Sequence, residues 1–304
     1  MTLFDLVANR DYQNKHVLTK LIEHHTGVPY KQIVMHYDDE VADEVAKQII
    51  SDYRSYEKDK KPLEYIVWQV GFLGRSFAID HRAMIPRPET EYMIEGVVEE
   101  LKGWKAESVR RKAEGGKLKA MCVLDLGCGC GVLGLSVASE LSEDYDNLNL
   151  QSRDISADAV ALTQQNIQTY QALLPQVRMT TCVSEWLKQL QYQPTLLEQW
   201  QMNPLVIVCN YPYIPDETFE INADECAKTR EPRSAFVGGE DGLDLYRVLF
   251  GEIEQYGLRH AVLFLEMMTW QMDKLIQEFG DHVDLQIIKT FHFNIIIVKA
   301  QWKH

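Results

Sequence analysis

The stretch Val123-Leu124-Asp125-Leu126-Gly127-Cys128-Gly129-Cys130-Gly131-Val132-Leu133-Gly134 constrains the fold more than any other part of the chain. A short apolar run ends in an acid and breaks into alternating glycines, and from Leu133 onward the apolar positions Leu133, Val137 and Leu141 recur at helical spacing. The pattern predicts a strand, a tight glycine turn and a helix. Glycines at such a turn remove the side chains that would hold a nucleotide-like ligand off the backbone, and the helix behind them presents unpaired N–H groups. Dinucleotide enzymes share this turn. The carboxylate of Asp125, however, opposes a pyrophosphate and suits a cationic or hydroxyl-rich ligand, and S-adenosylmethionine is both.

Bulk properties narrow the partners. A formal net charge of −14 over 304 residues argues against a protein that grips a phosphate backbone, because such binding uses a basic face to release counterions. The six cysteines, at 122, 128, 130, 182, 209 and 226, sit mostly in apolar or glycine-rich runs and read as buried thiols of a reducing compartment. Cys128 and Cys130 are separated by one residue and have no matching Cys or His pair, so no metal site is expected. No apolar span is long enough to cross a bilayer, and no membrane role is expected. Asp5 and Asp11 near the start fit neither a signal-peptide core nor an ordinary mitochondrial presequence. The expected location is the cytoplasm or the mitochondrial matrix.

From the N-terminus, residues 1–62 read as a small helical domain, with Leu18, Leu21, Ile22 and His25 on one face and Val41, Val45, Ile49 and Tyr53 on another. Such a unit is either structural or a dock for a macromolecular substrate. Residues 63–82 read as a β-hairpin linker, with Tyr65, Ile66, Val67, Val70, Phe72, Phe77 and Ile79 as its apolar positions. In Met84-Ile85-Pro86-Arg87-Pro88-Glu89-Thr90-Glu91 two prolines stiffen an extended segment, and Thr90 is placed to cap a helix starting at Glu91. Residues 103–120, basic and containing Gly115-Gly116, read as a solvated loop inserted before the central strand.

Beyond the glycine turn, strands are expected at Leu148–Gln151, Val177–Val183, Leu205–Cys209, Ala261–Glu266, Leu285–Lys289 and Asn294–Lys299, with helices from Ala157 and over Leu243–Tyr256. Strands alternating with helices imply an α/β fold whose mainly parallel sheet is covered on both faces. Asp154 falls where such folds place an acid against a ribose, although Ser156 and Asp158 beside it equally suit a helix cap. Trp186 follows a strand's carboxyl end, where ligands collect; it either stacks on a base or fills the core.

The fourth strand runs straight into Asn210-Tyr211-Pro212-Tyr213, at the sheet edge that carries the glycine turn. Nitrogens conjugated to a π-system are poor nucleophiles because the lone pair is delocalised. A site that accepts both N–H bonds, one at the Asn210 side-chain oxygen and one at a backbone carbonyl such as that of Tyr211, draws the nitrogen toward tetrahedral geometry. Pro212 would stiffen the loop and Tyr213 stack on a planar group. Catalysis would then be positioning and electrostatic stabilisation, with no strong general base.

With these residues the chain resembles the HemK/PrmC family of protein-glutamine methyltransferases. The resemblance is carried by Pro62-Leu63-Glu64-Tyr65-Ile66, Ile85-Pro86-Arg87-Pro88-Glu89-Thr90-Glu91, Asp125 to Gly131, Asp154-Ile155-Ser156, Asn210 to Ile214, Glu231-Pro232, Gly238-Gly239-Glu240-Asp241-Gly242-Leu243 and Tyr246-Arg247. It implies a class I S-adenosylmethionine-dependent methyltransferase domain over 83–304, with a Rossmann-like seven-stranded sheet, that methylates the glutamine amide in the Gly-Gly-Gln motif of a peptide chain release factor. The protein is expected to act as a monomer. The donor would be contacted by Asp125, Gly127, Cys128, Gly129, Cys130, Gly131, Asp154, Trp186 and Asn210. The amide would be held by Asn210, Tyr211, Pro212 and Tyr213.

Three departures stand out. Tyr211 replaces a family proline; since the backbone carbonyl survives, restoring it by Tyr211→Pro is expected to keep or raise activity. Met267-Met268 replaces Ile-Gly, and Phe291 to Ile295 lacks the usual arginine. The long 103–120 segment hints at a eukaryotic, organellar enzyme. Two rival functions are an adenine amino-methyltransferase acting on DNA or RNA, which would need a basic channel for a flipped base, and a binding protein that kept the fold without activity.

Overall fold

The computed structural model describes residues 1–113, 121–143, 145, 147–291 and 294–303, and the chain divides into two units, Met1–Gln69 and Val70–His304. In the first unit α1 (Leu3–Ala8), α2 (Lys15–Thr26), α3 (Asp43–Lys58) and α4 (Leu63–Val67) surround Leu6, Leu18, Leu21, Ile22, Ile49 and Tyr53, all buried. Thr2 and Asp5 form a reciprocal capping box on α1, and the Asn14 side chain accepts from Val17 N–H to start α2. The Tyr53 hydroxyl accepts from Asn14 N–H at 2.8 Å, tying that cap to α3.

The hairpin expected over Leu63–Ile79 begins later than the apolar pattern suggests. Leu63–Val67 form the helical turn α4, which ends at Trp68 in the left-handed region (φ 58°). Only β1 (Gln69–Phe72) and β2 (Arg75–Ala78) pair as strands. Tyr65 and Ile66 are apolar because they are buried on a helix, and a short apolar run does not distinguish the two states.

In the second unit α5 (Pro88–Ala113) is followed by β3 (Met121–Leu126), α6 (Val132–Leu141), β4 (Leu148–Asp154), α7 (Ala157–Leu173), β5 (Val177–Val183), α8 (Pro194–Met202) and β6 (Leu205–Cys209). Then come α9 (Asp216–Asn222), α10 (Glu225–Arg230), α11 (Asp244–Gln255), β7 (Val262–Met268), α12 (Thr269–Phe279), β8 (Val283–Thr290) and β9 (Ile295–Trp302). Seven strands form one sheet in the order β5-β4-β3-β6-β7-β9-β8, parallel except for β9. Every residue of β3 and β6 is buried, as a sheet covered on both faces requires.

Two expectations about α5 are corrected. The helix starts at Pro88, so Thr90 lies inside its first turn and does not cap it. It also continues to Ala113, so 103–113 is helix rather than loop, while 114–120 lies outside the described residues. Met93, Ile94, Val97 and Leu101 form its buried stripe, and the strong helix formers that follow carry it on past that stripe.

Behind the glycine turn, α6 approaches β3 closely. A side chain on Gly134 would put its Cβ 2.8 Å from Leu150 Cδ1 and 2.9 Å from Asp125 Cβ. Only glycine lets the helix sit there, with Gly134 N–H donating to Asp125 Oδ2 at 2.9 Å.

Candidate active site

Strand register assembles the site. Leu126 at the end of β3 pairs with Arg153 on β4 and with Cys209 on β6, and Cys209 pairs with Leu265 on β7. The next residue on each strand is therefore level with the others, so Asp154, Gly127, Asn210 and Glu266 form one row at the carboxyl edge, where parallel sheets bind ligands. A cleft opens above this row, walled by the loop Gly127–Cys130, Asp154–Ser156, Trp186, Asn210–Pro212, the Arg82–Pro86 segment with Thr90, and Pro232–Ala235.

The glycine loop is held from behind and from both sides. Gly127, Gly129 and Gly131 all have positive φ, and a Cβ on Gly127 would lie 3.1 Å from the Tyr211 ring. From α7, the Thr163 hydroxyl donates to Gly129 O at 2.8 Å and Asn166 Nδ2 donates to Cys130 O at 2.8 Å. Asn166 also pairs with both backbone groups of Ala78, fastening β2 to the same helix. Asp154 binds the loop through Oδ2, which accepts from Gly129 N–H at 3.0 Å, while Oδ1 accepts from Ser156 N–H at 2.9 Å. Burial raises its pKa against these stabilising N–H bonds. Ser156 is the actual cap of α7, its side chain accepting from Ala159 N–H.

Asp125 lies elsewhere than expected. Its carboxyl is fully buried behind the loop, bonded to Gly134 and absent from the cleft wall. Burial, with Asp154 nearby, pushes its pKa up to about 7. The side chain therefore braces the turn from below and does not line the cleft. Gly131, the N-cap of α6, is likewise off the wall.

Trp186 does face the cleft, in a left-handed backbone conformation (φ 54°) that is uncommon for so large a residue. Two bonds enforce it: the Ser184 hydroxyl donates to Trp186 O at 2.9 Å, and Leu187 N–H donates to Glu252 Oε2 at 2.9 Å. Arg153, fully buried, donates in turn to Ser184 Oγ at 3.2 Å. The indole meets the Tyr211 ring edge-on, with centroids 4.6 Å apart.

That contact reassigns Tyr211. Its ring is 1% exposed and packs under Gly127, against Trp186 and Tyr246, as the floor of the cleft. Its role is not confined to the backbone carbonyl, and the expectation that Tyr211→Pro is harmless is not supported by this packing. Tyr213 also points away from the cleft. Its hydroxyl donates to Glu266 Oε1 at 2.9 Å, so it braces the loop from outside the cleft wall. Asn210 Nδ2 donates to Thr90 Oγ1 at 3.2 Å, and the Thr90 hydroxyl donates to Glu266 Oε2 at 2.9 Å.

The remaining motif residues lock this loop in place. Glu231 accepts from Ile85 N–H at 2.8 Å and from Arg87 at 2.7 Å. Gln271 donates to the carbonyls of Tyr213 and Asp241. A Cβ on Gly238 would fall 2.1 Å from Pro212 O, so the Gly238–Gly242 run must lie flat on the Asn210–Tyr213 backbone. Thr90, Glu266 and Asn166 were not singled out as site residues from sequence. Thr90 sits within a segment whose rigid, charged composition could have marked it, whereas nothing local marks Asn166.

The cleft suits an adenosyl sulfonium. It offers a carboxylate at the end of β4 for ribose hydroxyls, the indole of Trp186, an apolar wall of Ile155, Ala159 and Leu133, and a polar end at Asn210 and Thr90.

Comparisons with known proteins agree with this geometry. The methyltransferase small domain family model matches residues 114–194. Release factor glutamine methyltransferase of Clostridium botulinum is 30% identical over 247 residues, covering 80% of this chain and 77% of that protein. The Bacillus cereus protein of the same name is 27% identical over 259 residues, covering 84% and 81%. The human MTRF1L release factor glutamine methyltransferase is 30% identical over 206 residues, covering 65% and 53%. A glycine loop and an Asn-Tyr-Pro-Tyr loop meeting on one sheet row, in a chain this similar to such enzymes, lead to one conclusion: it belongs to the release factor glutamine methyltransferase family.

Proposed function

We propose that this protein transfers a methyl group from S-adenosylmethionine to the side-chain amide nitrogen of the Gly-Gly-Gln glutamine in a peptide chain release factor. The fold is that of a class I methyltransferase, and among the described residues no helix is long and apolar enough to cross a membrane. The observation that carries the reading is the row that sets the Asn210 carboxamide level with Gly127, beside the donor loop. When bound, S-adenosylmethionine supplies a methyl carbon made electrophilic by a positively charged sulfur.

The chain's own residues do the rest. With the donor bound, Asp154 would accept ribose hydroxyls, and Trp186 and Ile155 would flank the adenine. Asn210 Oδ1 accepts one N–H of the incoming carboxamide, and a backbone carbonyl of the same loop accepts the other. With both hydrogens engaged, the nitrogen lone pair is freed from conjugation and aimed at the methyl carbon. In the transfer the N–C bond would form as the C–S bond breaks with its electron pair going to sulfur, and one amide proton would leave to water. We assign residues 1–62 to docking the release factor, 63–82 to the linker and 83–304 to methyl transfer.

Mass spectrometry of purified release factor after incubation with the protein and labelled donor tests this. A methyl group on the Gly-Gly-Gln glutamine is expected; label that appears only on tRNA or rRNA refutes it. On the donor side, Asp154→Ala should weaken S-adenosylmethionine binding by roughly ten- to a hundredfold in calorimetry, the value of a charge-assisted hydrogen bond. Unchanged affinity would remove Asp154 from the donor site.

A further inference from the structure

The carboxyl of Glu266 lies within the site's frame yet outside its cleft. It is 3% exposed, stands level with Asn210 on the adjacent strand, and does not line the wall. One oxygen accepts from Thr90 in the first turn of α5 and the other accepts from Tyr213, so a single side chain holds both rims of the carboxamide end. The Tyr246 hydroxyl donates to the Glu266 backbone carbonyl at 2.5 Å, fixing the strand end itself.

The chemistry of these contacts decides which way Asn210 points. A threonine hydroxyl has one hydrogen, and here it is given to Glu266 Oε2. Thr90 Oγ1 can then only accept, so the group it meets must be the NH₂ of Asn210, as the 3.2 Å contact from Nδ2 has it. The carboxamide oxygen is thereby turned away from Thr90 and left for a substrate N–H. A protonated Glu266 reverses the sequence: its O–H donates to Thr90, the Thr90 hydrogen becomes free to point at Asn210, and the amide oxygen is drawn back to meet it.

We propose that Glu266 is a positioning residue for methyl transfer, which orients the Asn210 carboxamide through the Thr90 hydroxyl and steadies the loop through Tyr213. The inference rests on the reading of the site as a carboxamide methylation centre. The groups around the Glu266 carboxyl are Thr90 and Glu89 from α5, Asn210 and Tyr213 from the loop after β6, and Tyr246 from α11, while its partner on β9 is the apolar Ile297. Burial, reinforced by the charge of Glu89, pushes the Glu266 pKa up to about 7 despite the hydrogen bonds from Thr90, from Tyr213 and, more weakly, from the Asn210 carboxamide itself, which favours the same orientation of that group. The competent, ionised form is therefore lost on acidification through neutrality.

The test is the pH profile of kcat on a release factor for the wild type, Glu266→Gln, Thr90→Val and Thr90→Ser, with donor affinity measured in parallel. Wild-type kcat should rise with pH through about 7. Glu266→Gln should lose roughly ten- to a hundredfold in kcat above that pH and lack the rise, with the donor Kd changed less than about threefold. Thr90→Val, which keeps the shape and removes the relay, should lose a similar amount, and Thr90→Ser should recover most of it. The donor Kd also separates Glu266 from Asp125, whose raised carboxyl acts on the donor loop. A Glu266→Gln enzyme with wild-type kcat and pH profile overturns the proposal whatever Thr90→Val does. A wild type that methylates no carboxamide overturns the functional reading instead.

Discussion

Asn210→Ala should leave a folded protein that binds S-adenosylmethionine within about tenfold of the wild type while kcat on a release factor falls by roughly a hundred- to a thousandfold, the range for removing one preorganised partner of a reacting group. The split follows from where the side chain stands. Its NH₂ is engaged by Thr90 at the polar end of the cleft, so truncation removes the acceptor that meets the substrate, while Asp154, Trp186 and the glycine loop still hold the donor. A loss confined to donor affinity would place Asn210 on the wrong side of the chemistry. Unchanged kcat would remove it from the reaction.

Tyr211→Pro should be the most damaging single change outside Asn210, although it restores a residue the family uses. The ring is buried between Gly127, Trp186 and Tyr246, and deleting an aromatic side chain from such a position costs about 3–5 kcal/mol because the surroundings collapse only in part. Trp186 would lose the partner it packs against, so donor affinity should fall together with the urea midpoint. Tyr211→Phe is the control: it keeps the ring and removes a hydroxyl that has no hydrogen-bond partner among the described residues, and it should match the wild type in both measurements. A stable, active Tyr211→Pro enzyme would mean that neighbouring side chains refill the floor of the cleft.

The strand, glycine turn and helix from Val123 to Gly134, the order of the strands that follow and the pairing of Asn210 with the glycine loop are legible in the sequence, whereas the helices Pro194–Met202, Asp216–Asn222, Glu225–Arg230 and Thr269–Phe279 are not. Each legible feature is written in local periodicity or in a contiguous motif. What escaped depends on partners far apart in the chain. Asp125 reads as a ligand-facing acid until its bond to Gly134 is seen. Tyr211 reads as a loop residue until Trp186 and Tyr246 are found around its ring. Thr90 reads as a helix cap until Asn210 and Glu266 appear on either side of its hydroxyl. For Asp125 and Thr90 the side chain's chemistry is legible and its target is not; for Tyr211 only the backbone carbonyl is. The end of α5 escapes for another reason: its basic, glycine-flanked sequence suits a loop, although most of its residues favour helix. Of the altered C-terminal motif, residues 292 and 293 lie outside the described residues.

The level row at the carboxyl edge works as a ruler. Successive strand residues advance about 3.3 Å and alternate faces, so one residue inserted within β6 would both lift Asn210 out of reach of the cleft and turn it to the opposite side of the sheet. An insertion ahead of a strand, as between Tyr256 and Ala261 before β7, leaves that register untouched, but there Leu258 and Ala261 are buried and tie the connection to the core. The length of each of these strands is therefore fixed by the site at its carboxyl end.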